Sequence, residues 1–181
     1  MTMSGFDPFA QLGLERRFDL DLEVVERTHR ELSRALHPDK FSGGTPAERR
    51  AAIERASAVN EAWRTVRDPV SRAEALFRLA GVPVGEVNEP KTAPVFLMEI
   101  MEMREELAEA RGARDLARVE KLAAGVRARE ARVTASLASA LASGAEPAAA
   151  LPMLGELRFY KRFLEEVSAI EDEAMEHDGA V

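Results

Sequence analysis

The chain has 181 residues, of which 31% are charged and none is cysteine, and its net charge is −7. Disulfides, thiolate-bound zinc and an iron-sulfur cluster held by its own thiolates are therefore excluded. The sequence opens without a basic start followed by an apolar run, and no window approaches 18 uninterrupted apolar residues. We expect a soluble, cytoplasmic protein without a membrane span.

The charge is distributed unevenly along the chain. Residues 1–80 carry 13 Lys+Arg and 13 Asp+Glu, whereas residues 81–181 carry 12 and 19. Neither half has the strongly basic balance that nucleic-acid binding requires, so we expect no nucleic-acid partner. Proline and glycine concentrate where the charge changes, which predicts a linker over residues 82–94. We expect a small domain on each side of it, at residues 5–81 and 95–176, and both should be all-α.

Cap and proline signals predict four helices in the first domain. Asp-Pro pairs open the first, short helix and the fourth helix, which Gly81 ends. Thr45 caps the third helix, from about residue 47 to 67, with a glutamate three residues later in the capping-box spacing. The predicted caps, in chain order, are Asp7, Asp19 or Asp21, Thr45 and Asp68.

The second and third helices should pack as an antiparallel hairpin with His37-Pro38-Asp39 at its tip. Pro38 ends the second helix because proline cannot donate the continuing hydrogen bond and restricts the residue before it. His37 and Asp39 are thereby placed on an exposed bend. The third helix is expected to face the second with its apolar residues: Ala52, Ile53, Ala56, Val59, Ala62, Trp63 and Val66.

Three arginines recur at helical spacing on the second helix. Arg27, Arg30 and Arg34 follow one another at intervals of three and four residues and therefore share one exposed face. Such a row is either an ordinary solvated face or a docking surface, and the charge pattern alone leaves both interpretations open.

The second domain should be an antiparallel bundle of three helices, at about residues 95–111, 114–143 and 152–176. One stripe of its first helix suits the bundle core: Phe96, Ile100, Met103 and Leu107. In its last helix, the expected core residues are Leu157, Tyr160, Leu164 and Val167, with Phe159 and Phe163 on the flank of that ridge.

The first helix of this bundle contains more apolar residues than its core stripe needs. Leu97, Met98 and Met101 fall outside the core sector. They either are covered by another part of the protein or form a protein-binding face, since methionine and leucine make adaptable apolar contacts. Acidic residues would extend such a face, and Phe159 either lies beside it or occupies a buried edge position, since its spacing allows both. These acidic residues are Glu102, Glu105 and Glu109.

The sequence has no constellation typical of an enzyme. Its histidines, His29, His37 and His177, are not spaced with carboxylates as metal ligands. Phosphate-binding loops, dinucleotide fingerprints and nucleophile elbows are missing as well. We therefore expect no catalytic residue, no metal and no cofactor. A small-molecule enzyme built on a helical bundle is a further hypothesis, and observing turnover by the isolated chain would support it.

The order of these elements resembles a J-domain, the module that stimulates ATP hydrolysis by heat-shock ATPase chaperones. Several segments resemble the HscB family of iron-sulfur co-chaperones more specifically, over roughly residues 5 to 175. They are His37-Pro38-Asp39-Lys40-Phe41, Asn60-Glu61-Ala62-Trp63, Asp68-Pro69-Val70-Ser71-Arg72-Ala73-Glu74, Phe96-Leu97-Met98-Glu99 and Arg104-Glu105-Glu106-Leu107. Some eukaryotic relatives add a cysteine pair for zinc, which this chain lacks, so it looks like the bacterial form.

The resemblance implies a role for each matching residue. His37, Pro38 and Asp39 would contact an HscA-like ATPase chaperone and trigger hydrolysis. A basic face formed by Arg27, Arg30, Arg34 and Lys40 would dock on that chaperone. The implied surface for an IscU-like iron-sulfur scaffold protein consists of Leu97, Met98, Met101, Glu102, Glu105, Glu109 and Phe159, with Met101 standing where an aliphatic residue is usual.

The function implied by the resemblance is that of a co-chaperone for iron-sulfur cluster transfer. It would hold the scaffold on the second domain and switch the chaperone's ATPase through the first. The alternative is a general J-domain co-chaperone that delivers unfolded client proteins. The two differ in whether residues 95 to 175 bind a folded scaffold or an unfolded substrate.

Overall fold

The computed structural model describes residues 6–85, 93–144 and 146–178. All regular secondary structure within these ranges is helical, with two short 3₁₀ turns at Pro38–Phe41 and Pro147–Ala150. The α-helices are α1 (Pro8–Gln11), α2 (Leu22–Ala35), α3 (Pro46–Arg67), α4 (Pro69–Leu79), α5 (Pro94–Gly112), α6 (Leu116–Ala142) and α7 (Leu151–Asp178). The predicted all-α fold class is confirmed.

The chain forms two compact units. The first comprises the chain through Val84 together with Leu141–Ala148, and the second comprises Gly85–Ala140 and the chain from Ala149 onward. The predicted domain limits of 5–81 and 95–176 stay a prediction. Residue 5 and most of the predicted linker, residues 86–92, lie outside the described residues.

The first unit is built around α3, which contacts α1, α2, α4 and the 3₁₀ turn after α2. Its core joins side chains from all four α-helices, and burying their apolar surface is the main stabilising term. The fully or nearly fully buried members are Phe9, Leu12, Val25, Val59, Ala62, Val66 and Ala75. Because α3 contacts every other helix here, it fixes where the bend after α2 lies.

Both ends of α3 are fixed by local hydrogen bonds. Thr45 and Glu48 form a capping box, in which Glu48 Oε2 accepts from the Thr45 backbone N–H at 2.7 Å. At the other end, Asp68 is both the C-cap of α3 and the N-cap of α4. Its Oδ1 accepts from the backbone N–H and the hydroxyl of Ser71, both at 2.8 Å.

A buried arginine links the end of α3 to α4. Arg72 Nη1 donates to the Val66 carbonyl at 2.8 Å, and its guanidinium lies 4.7 Å from the centre of the Phe18 ring. Burial lowers the pKa of Arg72, while the Asp68 carboxylate opposes that shift. The Nε atom is buried without a hydrogen-bond partner in the described part of the chain. Arg72 is therefore placed by the Val66 carbonyl, the Phe18 ring and the attraction of the Asp68 carboxylate.

The expectation that Ile53 packs against α2 is wrong. Ile53 is exposed, whereas Ala52 and Val59 of the same helix are buried. Adjacent residues on an α-helix point about 100° apart, so burial of Ala52 turns Ile53 away from the core. Trp63 does meet α2, but through a half-buried ring stacked on His29.

The second unit has its core between α5, α6 and α7. Buried residues from each helix meet in one cluster: Leu107, Ala110, Val119, Ala123, Val126, Phe159, Tyr160, Phe163, Val167 and Ile170. Phe159 and Phe163, which were placed on the flank of the predicted ridge, are both buried in this core, and for Phe159 this is the buried position that its spacing had left open. The Phe96 ring meets Phe159 and Tyr160 edge-on, with centroids 5.8 and 5.9 Å apart. Aromatic packing therefore widens the buried stripe of α7 beyond the predicted ridge.

Candidate functional sites at the bend and on the fifth helix

The bend after α2 is an ordered turn. His37 caps the 3₁₀ turn, where its Nδ1 accepts from the Asp39 backbone N–H at 3.4 Å. Lys40 N–H donates to the His37 carbonyl at 3.0 Å, and the Ser42 hydroxyl donates to the Asp39 carbonyl at 2.9 Å. The bend is thus held by its own residues, including the His37 ring, while the side chains of His37 and Asp39 still reach the surface.

Those two side chains are accessible. The side chain of Asp39 is 90% exposed and that of His37 is 60% exposed, and Asp39 Oδ2 lies 3.4 Å from His37 Nδ1. A partner is thus offered the Asp39 carboxylate as an acceptor and, because His37 Nδ1 accepts from the backbone, the other ring nitrogen of His37 as a donor. The sequence predicted this exposed pair correctly.

The basic residues near the bend are also exposed. Arg27, Arg30, Arg34 and Lys40 all lie at the surface. Arg30 forms an i,i+4 ion pair with Glu26, whereas no carboxylate of the described residues forms a salt bridge with Arg27 or Arg34. The row therefore presents at least two guanidinium groups that a negatively charged surface can engage.

The additional apolar residues of α5 are exposed. Leu97 is 47% exposed, Met98 64% and Met101 62%. These values favour a free apolar face over the interpretation in which the residues are covered within the protein. Val95, 69% exposed, extends the same face, and it was not among the residues predicted to form it. Its spacing of three residues from Met98 was the signal that could have found it.

Acidic residues adjoin this apolar face on α5. Glu102, Glu105 and Glu109 are exposed, and Glu109 pairs with Arg118 of α6 at 3.0 Å. Phe159 differs from the other predicted members of the surface, because it is only 6% exposed. Its ring contacts Phe96 on one side and lies 5.9 Å from the Arg104 guanidinium. Phe159 therefore supports α5 from within the unit.

A polar cleft lies between α5, α6 and α7, lined by Glu99, Arg129, Arg132, Val133, Glu156 and Tyr160. Burial raises the pKa of Glu156, and the nearby Glu99 carboxylate raises it further. Burial also raises the pKa of Tyr160, with a smaller contribution from Glu156. The sequence did not predict this cleft, since three separate helices supply its walls.

The described residues contain no group of three or more His, Cys, Asp or Glu side chains that could hold a metal ion. In the same ranges, no helix is both long and apolar enough to cross a membrane.

Known proteins resemble this chain over nearly its whole length. Residues 92–168 match the family model of the HSCB C-terminal oligomerisation domain. The HscB co-chaperone homologue of Burkholderia mallei (strain SAVP1) is 36% identical over 174 residues, which is 96% of this chain and 97% of that protein. Its counterpart in Burkholderia multivorans is 37% identical over 166 residues, 92% of this chain and 93% of that protein.

Solved structures share the fold. The chaperone HscB from Vibrio cholerae superposes with a TM-score of 0.81 at 32% identity, covering 92% of this chain and 98% of that one. Human co-chaperone HscB superposes with a TM-score of 0.84 at 27% identity, covering 93% and 84%.

A helical hairpin with a His-Pro-Asp bend, followed by a separate helical unit, defines a J-domain co-chaperone. Within that class, identity above 30% over most of both chains decides the family. The chain belongs to the HscB co-chaperone family, as the resemblance at the level of motifs predicted.

Proposed function

We propose that this protein stimulates the ATPase of an HscA-type chaperone and delivers to it an IscU-type iron-sulfur scaffold protein. The observation that carries the proposal is the exposed apolar face of α5, which lies on a different compact unit from the bend. Two surfaces on two units suit a protein that holds two partners at once. The iron-sulfur cluster is the scaffold's cargo and needs no ligand from this chain.

The bend acts on the ATPase chaperone. Asp39 offers it an exposed carboxylate and His37 an exposed imidazole, while Pro38 keeps α2 from continuing through the bend. Arg27, Arg30, Arg34 and Lys40 supply a positive surface that steers an acidic partner onto the hairpin. Exposed charges gain little affinity individually, so their main effects are on orientation and association rate.

The apolar face of α5 binds the scaffold. Leu97, Met98 and Met101 would lose their solvent contact on binding, and each buried side chain would contribute roughly 1–2 kcal/mol. Glu102, Glu105 and Glu109 border the face and select a partner with basic residues. Phe159 acts by holding the α5 backbone through Phe96, since its own surface is nearly all buried.

Tethering explains how two binding surfaces on one chain promote the encounter between the scaffold and the chaperone. A scaffold bound to α5 is held near the chaperone that the bend has engaged, so its local concentration there rises. The protein itself carries out no covalent chemistry in this scheme, and the reaction it accelerates belongs to its partner. The scheme places the protein in the cytoplasm with the iron-sulfur assembly machinery.

The test is Asp39→Asn, which removes one charge from the bend and preserves its shape. The variant should lose stimulation of an HscA-type ATPase in single-turnover assays, yet bind an IscU-type scaffold with unchanged affinity by calorimetry. Glu31→Gln, an exposed carboxylate on α2, is the matched control and should keep stimulation. Full stimulation by Asp39→Asn would refute the role of the bend.

A general co-chaperone for unfolded clients is the other candidate, because an exposed apolar face can also hold unfolded segments. Calorimetry with a reduced, unfolded model protein in place of the folded scaffold separates the two. Binding of the unfolded protein alone would favour the general co-chaperone.

A further inference from the structure

Among the residues that the structure describes, oxidisable sulfur lies in the second unit. The chain has seven methionines and no cysteine. In the described ranges the methionines are Met98, Met101, Met103, Met153 and Met175, all within the second unit. The first unit has none between residues 6 and 84, so the hairpin and its bend offer a peroxide no thioether or thiol to attack.

The methionines of α5 differ in access. Met98 and Met101 are among the most exposed large apolar residues of the described chain. Met103 is half-buried against the core, and its Sδ accepts from Arg129 Nη1 at 3.1 Å. That contact occupies a lone pair on the Met103 sulfur and shields it. An oxidant in solution therefore meets the two sulfurs of the apolar face before it meets Met103.

We propose that Met98 and Met101 form a reversible oxidation site that controls scaffold binding, an inference that rests on the proposed function of the α5 face. The thioether sulfur attacks one oxygen of hydrogen peroxide and the O–O bond breaks. The sulfur loses two electrons and takes up the hydroxyl oxygen, and the departing hydroxide removes the proton of that hydroxyl, which leaves an S=O bond and one water molecule. A methionine sulfoxide reductase reverses the change with two electrons from a dithiol and releases the oxygen as water.

Oxidation would change the α5 face without unfolding the unit. Both side chains are already exposed, so a sulfoxide there stays hydrated in the free protein. Binding the scaffold would then strip water from two polar S=O groups that have no assigned partner, which is unfavourable. The sulfoxide also removes the adaptable apolar contacts that methionine supplies. Scaffold affinity should fall while the bend continues to stimulate the ATPase chaperone.

The experiment uses the full chain treated with hydrogen peroxide, which is then removed before any partner is added. Peptide mass mapping should find sulfoxide at Met98, Met101 and Met175 at doses that leave Met103 intact. Calorimetry with an IscU-type scaffold should then show affinity reduced about tenfold or more. Stimulation of the HscA-type ATPase, assayed without scaffold, should be unchanged.

Two variants identify the responsible residues. Met98→Leu combined with Met101→Leu keeps the face apolar with similar side-chain volumes, so it should bind the scaffold before and after peroxide. Met175→Leu removes an exposed methionine on α7 instead and should remain peroxide-sensitive. An equal loss of affinity in the Met98/Met101 double variant would overturn the inference, as would unchanged binding by a wild-type chain oxidised at both positions. If the untreated chain does not bind the scaffold, the proposed function itself is refuted and the inference falls with it.

Discussion

The imidazole of His29 stacks on the indole of Trp63, with ring centroids 5.1 Å apart and an interplanar angle of 11°. His29 Nε2 also lies 2.9 Å from Asn60 Oδ1 and 3.2 Å from Ser33 Oγ. One side chain of α2 therefore reaches two residues of α3. This contact joins the helix that carries the arginines to the helix that anchors the bend.

Replacing His29 with alanine should destabilise the first unit. The change removes both the ring stack and the hydrogen bond to Asn60, which together contribute about 1–2 kcal/mol. Urea unfolding followed by the fluorescence of Trp63, the only tryptophan of the chain, measures the loss. Thr28→Ala is the matched control, because the Thr28 hydroxyl donates to the Val24 carbonyl within α2 itself. Equal stability of His29→Ala and Thr28→Ala would show that the contact between the helices contributes nothing.

The apolar face of α5 gives a prediction about binding. Leu97→Ala combined with Met101→Ala should weaken scaffold binding by about 2–3 kcal/mol, since two anchoring side chains lose most of their buried area. Thermal unfolding should be nearly unchanged, because both side chains are exposed in the free protein. Leu116→Ala removes a comparably exposed leucine from α6 and should leave scaffold binding intact. If the double variant binds as well as wild type, the face serves another purpose.

The polar cleft gives a prediction about pH. Burial and the Glu99 carboxylate raise the folded-state pKa of Glu156 above the value of about 4.3 for a free glutamate. Between these two pKa values the folded state binds more protons than the unfolded state, so stability falls as pH rises through that interval. Glu156→Gln should therefore raise the melting temperature at pH 7, and this gain should shrink towards about pH 4, where the native glutamate is protonated as well. Calorimetric melting at both pH values measures the difference. A gain that is the same at both would assign the effect to packing.

The turn between α5 and α6 offers a stabilising substitution. Arg114 adopts a positive φ of 54°, a conformation that disfavours residues with a Cβ. Arg114→Gly should stabilise the second unit by about 0.5–1 kcal/mol in urea unfolding, because glycine adopts this conformation without the steric penalty. Arg114→Ala keeps the Cβ and should show no such gain. A similar gain in both variants would point to the arginine side chain rather than to the backbone.

Helix ends were largely predictable from the sequence because short-range hydrogen bonds determine them. Asp21, Thr45 and Asp68 cap helices as predicted, and the ends of α3, α5, α6 and α7 lie within two residues of the expected positions. Side-chain burial was less predictable, since a turn of about 100° separates neighbouring residues on a helix. Ile53 was assigned to the wrong environment for this reason, and the spacing left open whether Phe159 is exposed or buried.

The candidate sites also differ in how far the sequence predicted them, depending on whether local or long-range contacts form them. The exposed pair His37 and Asp39 followed from a local break at Pro38. The exposure of Met101 did not follow from periodicity, because α5 is apolar on more than one side and only the packed bundle shows which side is covered. The cleft around Glu156 was unpredictable, since it requires knowing how three helices pack together.

The junction between α3 and α4 has no loop, because the single residue Asp68 ends one helix and starts the next. One residue inserted there would rotate α4 by about 100° relative to α3 and turn Arg72 away from the Val66 carbonyl. A reporter peptide or a permuted terminus placed at this junction should therefore disrupt the first unit. Gly43 is a better insertion point by comparison, since it is exposed and lies in the loop between the bend and α3.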